Sequence, residues 1–85
     1  MRTKLEGSIY FVDDKEYLCV IVDGEACMTV NQLAVIVNYT PKSIRKKIYN
    51  GTIPSTKRPN GRVLIKVSDV ERLMREGVFI KNISA

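Results

Sequence analysis

The chain has 85 residues, 45% of them hydrophobic and 27% charged, with a formal net charge of +5, two cysteines and no histidine. That length supports one domain around one modest core, with no room for a substrate cleft between domains, and the composition is that of an ordinary globular protein. Without histidine, and with Cys19 and Cys27 in no zinc-ligand spacing, no metal centre, cofactor or small-molecule substrate is expected, and the two thiols read as buried structural side chains.

Along the chain, Ile9–Val12 and Tyr17–Val22 are runs rich in Ile, Val, Tyr and Phe around the charged turn Asp13 to Glu16, which predicts a β-hairpin. Asp23-Gly24 is a second turn signal, with a short third strand over Ala26–Met28. The apolar period then changes to that of a helix, with Val30, Leu33, Ala34 and Val37 on one face. Thr29 and Gln32 form a capping box at its start.

Asn38 and Tyr39 make the break, Asn being a residue that visits the left-handed region cheaply. Thr40 caps a second helix that starts at Pro41 and ends at Asn50-Gly51. Two short helices across so tight a turn predict a helix-turn-helix. Ser55–Lys57 and Arg62–Val67 flank Arg58-Pro59-Asn60-Gly61, a hairpin turn signal, so a basic wing follows the second helix. Ser68 and Glu71 read as a capping box for a third helix closing at Gly77. Val78–Ile83 is apolar enough for a last strand or an apolar tail. The predicted fold class is α+β, a small winged helix-turn-helix domain with an additional N-terminal β-hairpin. Its expected divisions are 1–28 for the hairpin extension, 29–77 for the winged helix-turn-helix and 78–85 for the tail.

Charge is segregated along this layout. Thr40–Lys66 carries eight basic side chains (Lys42, Arg45, Lys46, Lys47, Lys57, Arg58, Arg62 and Lys66) and no acid, whereas Met1–Tyr39 has three basic residues against six acidic ones. Such concentration makes one region electropositive, and a polyanion is its expected partner. With Ile44 at the centre of the buried face of the second helix, Ile48 and Pro41 fall within about 60° of it, while Lys42, Lys46 and Tyr49 fall opposite and Ser43 and Arg45 flank them. This face fits a DNA major groove, where an arginine such as Arg45 pairs with a guanine edge and lysines meet phosphates. Lys57, Arg58 and Arg62 would reach the backbone or the minor groove. A solvated helix also carries Lys and Arg on its outer face, and it is the coincidence with the helix-turn-helix spacing and the basic wing that favours function. Tyr49 has two readings, DNA contact or packing on a neighbouring strand, and Tyr39 reads as core.

Met28-Thr29-Val30-Asn31-Gln32-Leu33-Ala34, Tyr39-Thr40-Pro41-Lys42-Ser43-Ile44-Arg45-Lys46-Lys47-Ile48, Gly51-Thr52-Ile53-Pro54 and Ser68-Asp69-Val70 together resemble the excisionase and MerR-like winged helix-turn-helix family, over about Cys27 to Glu76. The resemblance implies that the second helix is the recognition helix, using Lys42, Ser43, Arg45, Lys46 and Tyr49, and that the hairpin is the wing, using Arg58, Asn60 and Arg62. It implies a recombination directionality factor that binds repeated double-stranded DNA sites cooperatively, bends them and assists an integrase or other recombinase, or a small transcriptional regulator of phage or mobile-element genes. Asn38 stands where Gly is common, and Lys47 where an apolar residue is frequent. The N-terminal hairpin lies outside the family pattern, with a sheet extension, a dimer contact or a recombinase contact as its open roles.

No nucleophile with an evident base and no phosphate-binding Gly-rich loop is present, so an enzyme is not expected. The main reading without DNA is a protein-interaction module using the acidic hairpin and the apolar tail. The longest apolar run, Tyr17–Val22, falls far short of the ~20 residues of a membrane span, and Met1–Ser8 lacks the apolar stretch of a signal peptide. The expected location is the cytoplasm of a bacterial or phage-infected cell, on the nucleoid.

Overall fold

The computed structural model describes residues 2–57 and 61–79, with the side chain of Lys57 excluded. Ten elements follow one another: β1 (Thr3–Glu6), β2 (Ile9–Val12), β3 (Lys15–Leu18), β4 (Val20–Val22), β5 (Glu25–Thr29), α1 (Val30–Val37), α2 (Pro41–Tyr49), β6 (Thr56–Lys57), β7 (Val63–Lys66) and α3 (Val67–Arg75). They form a three-stranded antiparallel sheet, β1-β2-β3, and a four-stranded antiparallel sheet, β4-β5-β7-β6, with three helices. The α+β winged helix-turn-helix class holds.

Two details of the N-terminal region differ from the sequence reading. The expected hairpin gains a third strand, β1, whose Thr3-Lys4-Leu5-Glu6 pairs with Val12 back to Ile9. The apolar run Tyr17–Val22 is not one strand. Leu18 still pairs with Ile9, the Cys19 N–H donates to the Ser8 carbonyl at 2.7 Å, and Val20 then pairs with Cys27 in the second sheet. One apolar segment thus serves two sheets. The turn between β4 and β5 is Asp23-Gly24, both residues at positive φ (52° and 79°), the conformation that a two-residue hairpin requires. Cys19 and Cys27 are both buried and not joined in a disulfide, and burial, then the proximity of Cys27, pushes the Cys19 thiol above its ordinary value.

The core gathers Tyr10, Met28, Leu33, Ile44, Ile53, Ile65 and Val70 from both sheets and all three helices. Thr29 caps α1 through a complete capping box, its hydroxyl taking the Gln32 N–H while the Gln32 carboxamide oxygen takes the Thr29 N–H. Gln32 also donates its amide to the Leu18 carbonyl, tying α1 to the end of β3. All three helices end in the same way. The Tyr39 N–H reaches Ala34 and the Asn38 N–H reaches Val35; Thr52 reaches Lys47 and Gly51 reaches Ile48; Val78 reaches Leu73 and Gly77 reaches Met74. These are Schellman pairs closed by a left-handed residue, Asn38 (φ 59°), Gly51 (φ 85°) and Gly77 (φ 78°).

Ser68 is not the cap of α3. The helix begins at Val67, its N-cap is Lys66 with no side-chain cap hydrogen bond, and Ser68 sits exposed within the first turn. The capping-box partner is engaged elsewhere: the Glu71 carboxylate accepts hydrogen bonds from the Thr3 hydroxyl at 2.8 Å and from the Tyr10 hydroxyl at 2.9 Å. A tertiary use of Glu71 overrides the local one, and it fastens the N-terminal sheet to α3. Of the proposed tail, Val78 and Phe79 pack as half-buried side chains on the core, and the rest lies outside the described residues.

Two outcomes are expected. Asn38→Ala puts a Cβ-bearing residue without a local polar side chain at φ 59° and should lower stability by about 1 kcal/mol in urea melts, whereas Asn38→Gly should hold or raise it. Tyr10 is 0% exposed, and Tyr10→Phe leaves Glu71 short of a donor, with an expected loss of about 1–3 kcal/mol and a coupling of similar sign in a double-mutant cycle with Glu71→Ala. Burial raises the Tyr10 phenol above its ordinary value. Its contribution is therefore fully present below about pH 10 and is lost as pH rises from there. In alkaline stability curves, Tyr10→Phe should remove that loss and leave the limb from Cys19, whose thiol is also raised.

Candidate nucleic-acid interface

The geometry of the helix-turn-helix is set at its turn. The Schellman pair at Asn38 ends α1, and Thr40 opens α2 by accepting the Ser43 N–H at 3.1 Å, with Pro41 in the first turn. Within α2 only Ile44 is fully buried, with Ile48 half-buried against the core. One helix stripe is thereby fixed inward, and Lys42, Arg45, Lys46 and Tyr49 are all exposed, Tyr49 at 93%. Ser43 is half-buried; its Oγ accepts from the Thr40 hydroxyl at 2.9 Å, which leaves its own hydroxyl hydrogen for an outside acceptor.

The eight cations of the basic segment are not equivalent. Lys66 is held in an ion pair with Glu25 at 2.8 Å, which raises its pKa through that hydrogen bond and the opposite charge. Lys47, half-buried, places its Nζ 5.7 Å from the centre of the Tyr39 ring, a cation–π contact, and Tyr39 meets Phe79 edge-on at 5.9 Å. These two cations are directed at the protein itself. Lys42, Arg45 and Lys46 project from α2, and Arg62 is exposed at the base of the wing. Arg58 and Asn60 lie outside the described residues.

The wing is anchored by its pairing. Thr56 stands opposite Leu64 and Lys57 opposite Val63, so residues 58–62 connect the strands, with Gly61 at φ 81° on the return. Because β7 also pairs with β5, the base of the wing lies beside the start of α1. An open cleft of about 410 Å³ results, lined by Thr29 and Asn31 from the start of α1, Arg45 from α2, and Gly61 and Arg62 from the wing. Arg45 and Arg62, far apart in sequence, thus converge on one concave surface that no acidic side chain lines. Asn31 is the residue that sequence reasoning did not single out. Its one local signal is a polar side chain on the exposed side of the first turn of α1.

The first-turn N–H groups of α1 have no intrahelical acceptor, and the helix dipole adds positive potential at the same end. Cleft, guanidinium groups and helix start therefore share one sign. Among the described residues there is no group of three or more Cys, Asp or Glu side chains placed to hold a metal ion, and no helix long and apolar enough to cross a membrane.

No curated protein and no solved structure matches the chain. A match to the helix-turn-helix domain family spans residues 27–78, from within β5 to just past α3, taking in all three helices, the wing and the Arg45–Arg62 cleft. With more than half of its length matched, the chain belongs to the helix-turn-helix domain family and carries its DNA-binding domain.

Proposed function

We propose that α2 enters the major groove of double-stranded DNA, with Lys42, Ser43, Arg45 and Lys46 toward bases and phosphates and Tyr49 at the trailing end. The wing, through Lys57, Arg58, Asn60 and Arg62, follows the adjacent backbone. The observation that carries this reading is the acid-free cleft in which Arg45 of α2 and Arg62 of the wing converge beside the start of α1. A phosphate seated between the two guanidinium groups fixes the register of the helix, and base edges then decide sequence.

The finer role is that of a small excisionase-like directionality factor that binds repeated sites cooperatively, bends them and assists a recombinase. Its support is the run of motifs from Thr29 to Val70 together with the small size of the interface. One nine-residue helix and one wing make about 4–6 phosphate contacts, which alone gives weak, salt-dependent binding. Several copies side by side supply the specificity that one lacks. The acidic N-terminal sheet, which lies before the matched residues 27–78, offers a surface for protein partners.

Titration of labelled duplexes, random sequence against the integration-site DNA of the element that carries this gene, should give log affinity falling with log salt at a slope of about −4 to −5. Arg45→Ala and Arg62→Ala should each weaken binding on any duplex and reduce the slope by about 1, as expected of two groups that share a phosphate. Circularly permuted fragments should show a bend confined to the native site. Binding unchanged by charge reversal at Arg45 and Lys46 would sink this reading and favour a protein-interaction module.

A further inference from the structure

The acidic part of the molecule forms a second concave surface. The tip of the β2–β3 hairpin and the outer side of α1 enclose an open hollow of about 730 Å³. Its apolar lining is Phe11, Tyr17 and Val35, the last 65% exposed although it belongs to an otherwise well-buried helix. Asp14 and Glu16 line the same hollow, and among the described residues no hydrogen bond or ion pair engages either carboxylate. Asp13, next to them, instead accepts the Arg2 backbone N–H at 2.9 Å, and Lys15 is the one cation in the lining. An apolar floor beside unpaired carboxylates suits a basic segment that carries an exposed aromatic ring.

The chain itself bears such a segment. Tyr49, the last residue of α2, is 93% exposed, within a stretch from Thr40 to Lys66 that has no acid. A recognition helix meets base edges mainly with its N-terminal residues, so its C-terminal end emerges from the groove toward the next site. We propose that Tyr49 of one copy seats in the hollow of the next, its ring against Phe11, Tyr17 and Val35 and the positive potential around it facing Asp14 and Glu16. The two contacting surfaces differ, so the contact is head to tail and propagates along DNA as an open row. This deepens the proposed DNA binding and rests on it.

The test compares a short duplex of ~12 bp, with room for one copy, with a long random duplex of ~60 bp. Apparent affinity per site on the long duplex should exceed that on the short one by about tenfold or more for the unaltered protein. Val35→Ser and the double variant Asp14→Asn with Glu16→Gln change exposed positions away from the DNA-facing helix, and each should bring the long-to-short ratio close to 1 while the short-duplex affinity stays within about twofold. Tyr49→Ser alters the recognition helix itself, so it is read by the long-to-short ratio alone, which should also fall close to 1. Normal short-duplex binding with no cooperativity on the long one overturns the inference alone, as does cooperativity that all three variants retain. Absence of salt-sensitive binding to the short duplex sinks the DNA reading and this inference with it. If a Lys-rich peptide binds at Asp14 and Glu16 while the long duplex fills without cooperativity, the hollow serves another basic protein and a second copy is excluded.

Discussion

The pairing of β5 with β7, in the register Cys27–Lys66, Met28–Ile65 and Thr29–Leu64, sets the positions of α1, α3 and the wing. Thr29 is both the last residue of β5 and the N-cap of α1, and Lys66 is both the last residue of β7 and the N-cap of α3. Two helices therefore leave the sheet from one strand pair, and β6 continues the same sheet into the wing. The backbone ladder fixes the spacing between α1 and the wing, and α2 is then placed against α1 by a three-residue turn. This is why Arg45 and Arg62 line one cleft: the sheet sets the spacing between the backbone of the wing and that of the helix pair. A slip of one residue in that register would turn Met28 and Ile65, both buried, away from the core. The hydrophobic effect thus guards the interface geometry indirectly.

The N-terminal sheet joins this frame by a different kind of contact. Tyr10 and Val12 bury apolar surface, yet a buried phenol demands an acceptor, and Glu71 of α3 supplies it while also taking the Thr3 hydroxyl. Two strands and a helix separated by most of the chain converge on one carboxylate. An apolar contact alone would tolerate sliding of the sheet across α3, whereas two directed hydrogen bonds admit one placement. That placement also fixes where the β2–β3 tip stands beside α1.

Local chemistry was legible in the sequence wherever the backbone had few alternatives. Thr29 with Gln32, Thr40 with Pro41, Asn38 and Asp23-Gly24 each specify their own turn or cap through side-chain hydrogen bonds or positive φ, and the structure has all of them. Legibility failed where partners are distant. Ser68 and Glu71 satisfy the capping-box pattern, but nothing in the pattern records that Thr3 and Tyr10 compete for Glu71. The run Tyr17–Val22 has no glycine, proline or charge to mark the change of sheet at Cys19. β1 is a charged edge strand, Thr3-Lys4-Leu5-Glu6, without the apolar alternation that announces one. For the interface, the exposed face of α2 followed from the helical period. The convergence of Arg45 with Arg62, and the presence of Asn31 beside them, depends on the β5–β7 register and has no local signature.

Charge counting along the chain overstates the basic face and understates its organisation. Lys66 is paired with the opposite charge of Glu25, while Lys47 keeps its charge but is directed at the Tyr39 ring, so direct contact with a polyanion is left to the other cations of α2 and the wing. Those cations sit on two folded elements, so the backbone that carries them loses less conformational entropy on meeting a phosphate than that of a mobile tail. The acids lie outside the basic segment, six before Thr40 and three after Lys66, and among the described residues Asp14 and Glu16 have no ion-pair partner. In 0.15 M salt exposed charges interact over about 8 Å, a range that spans contacts between touching molecules and little more. Segregated charge of this kind therefore has small effect on dilute, free copies. In the proposed assembly it acts when DNA brings copies side by side, the situation in which an acidic hollow and a basic helix end come within reach of each other.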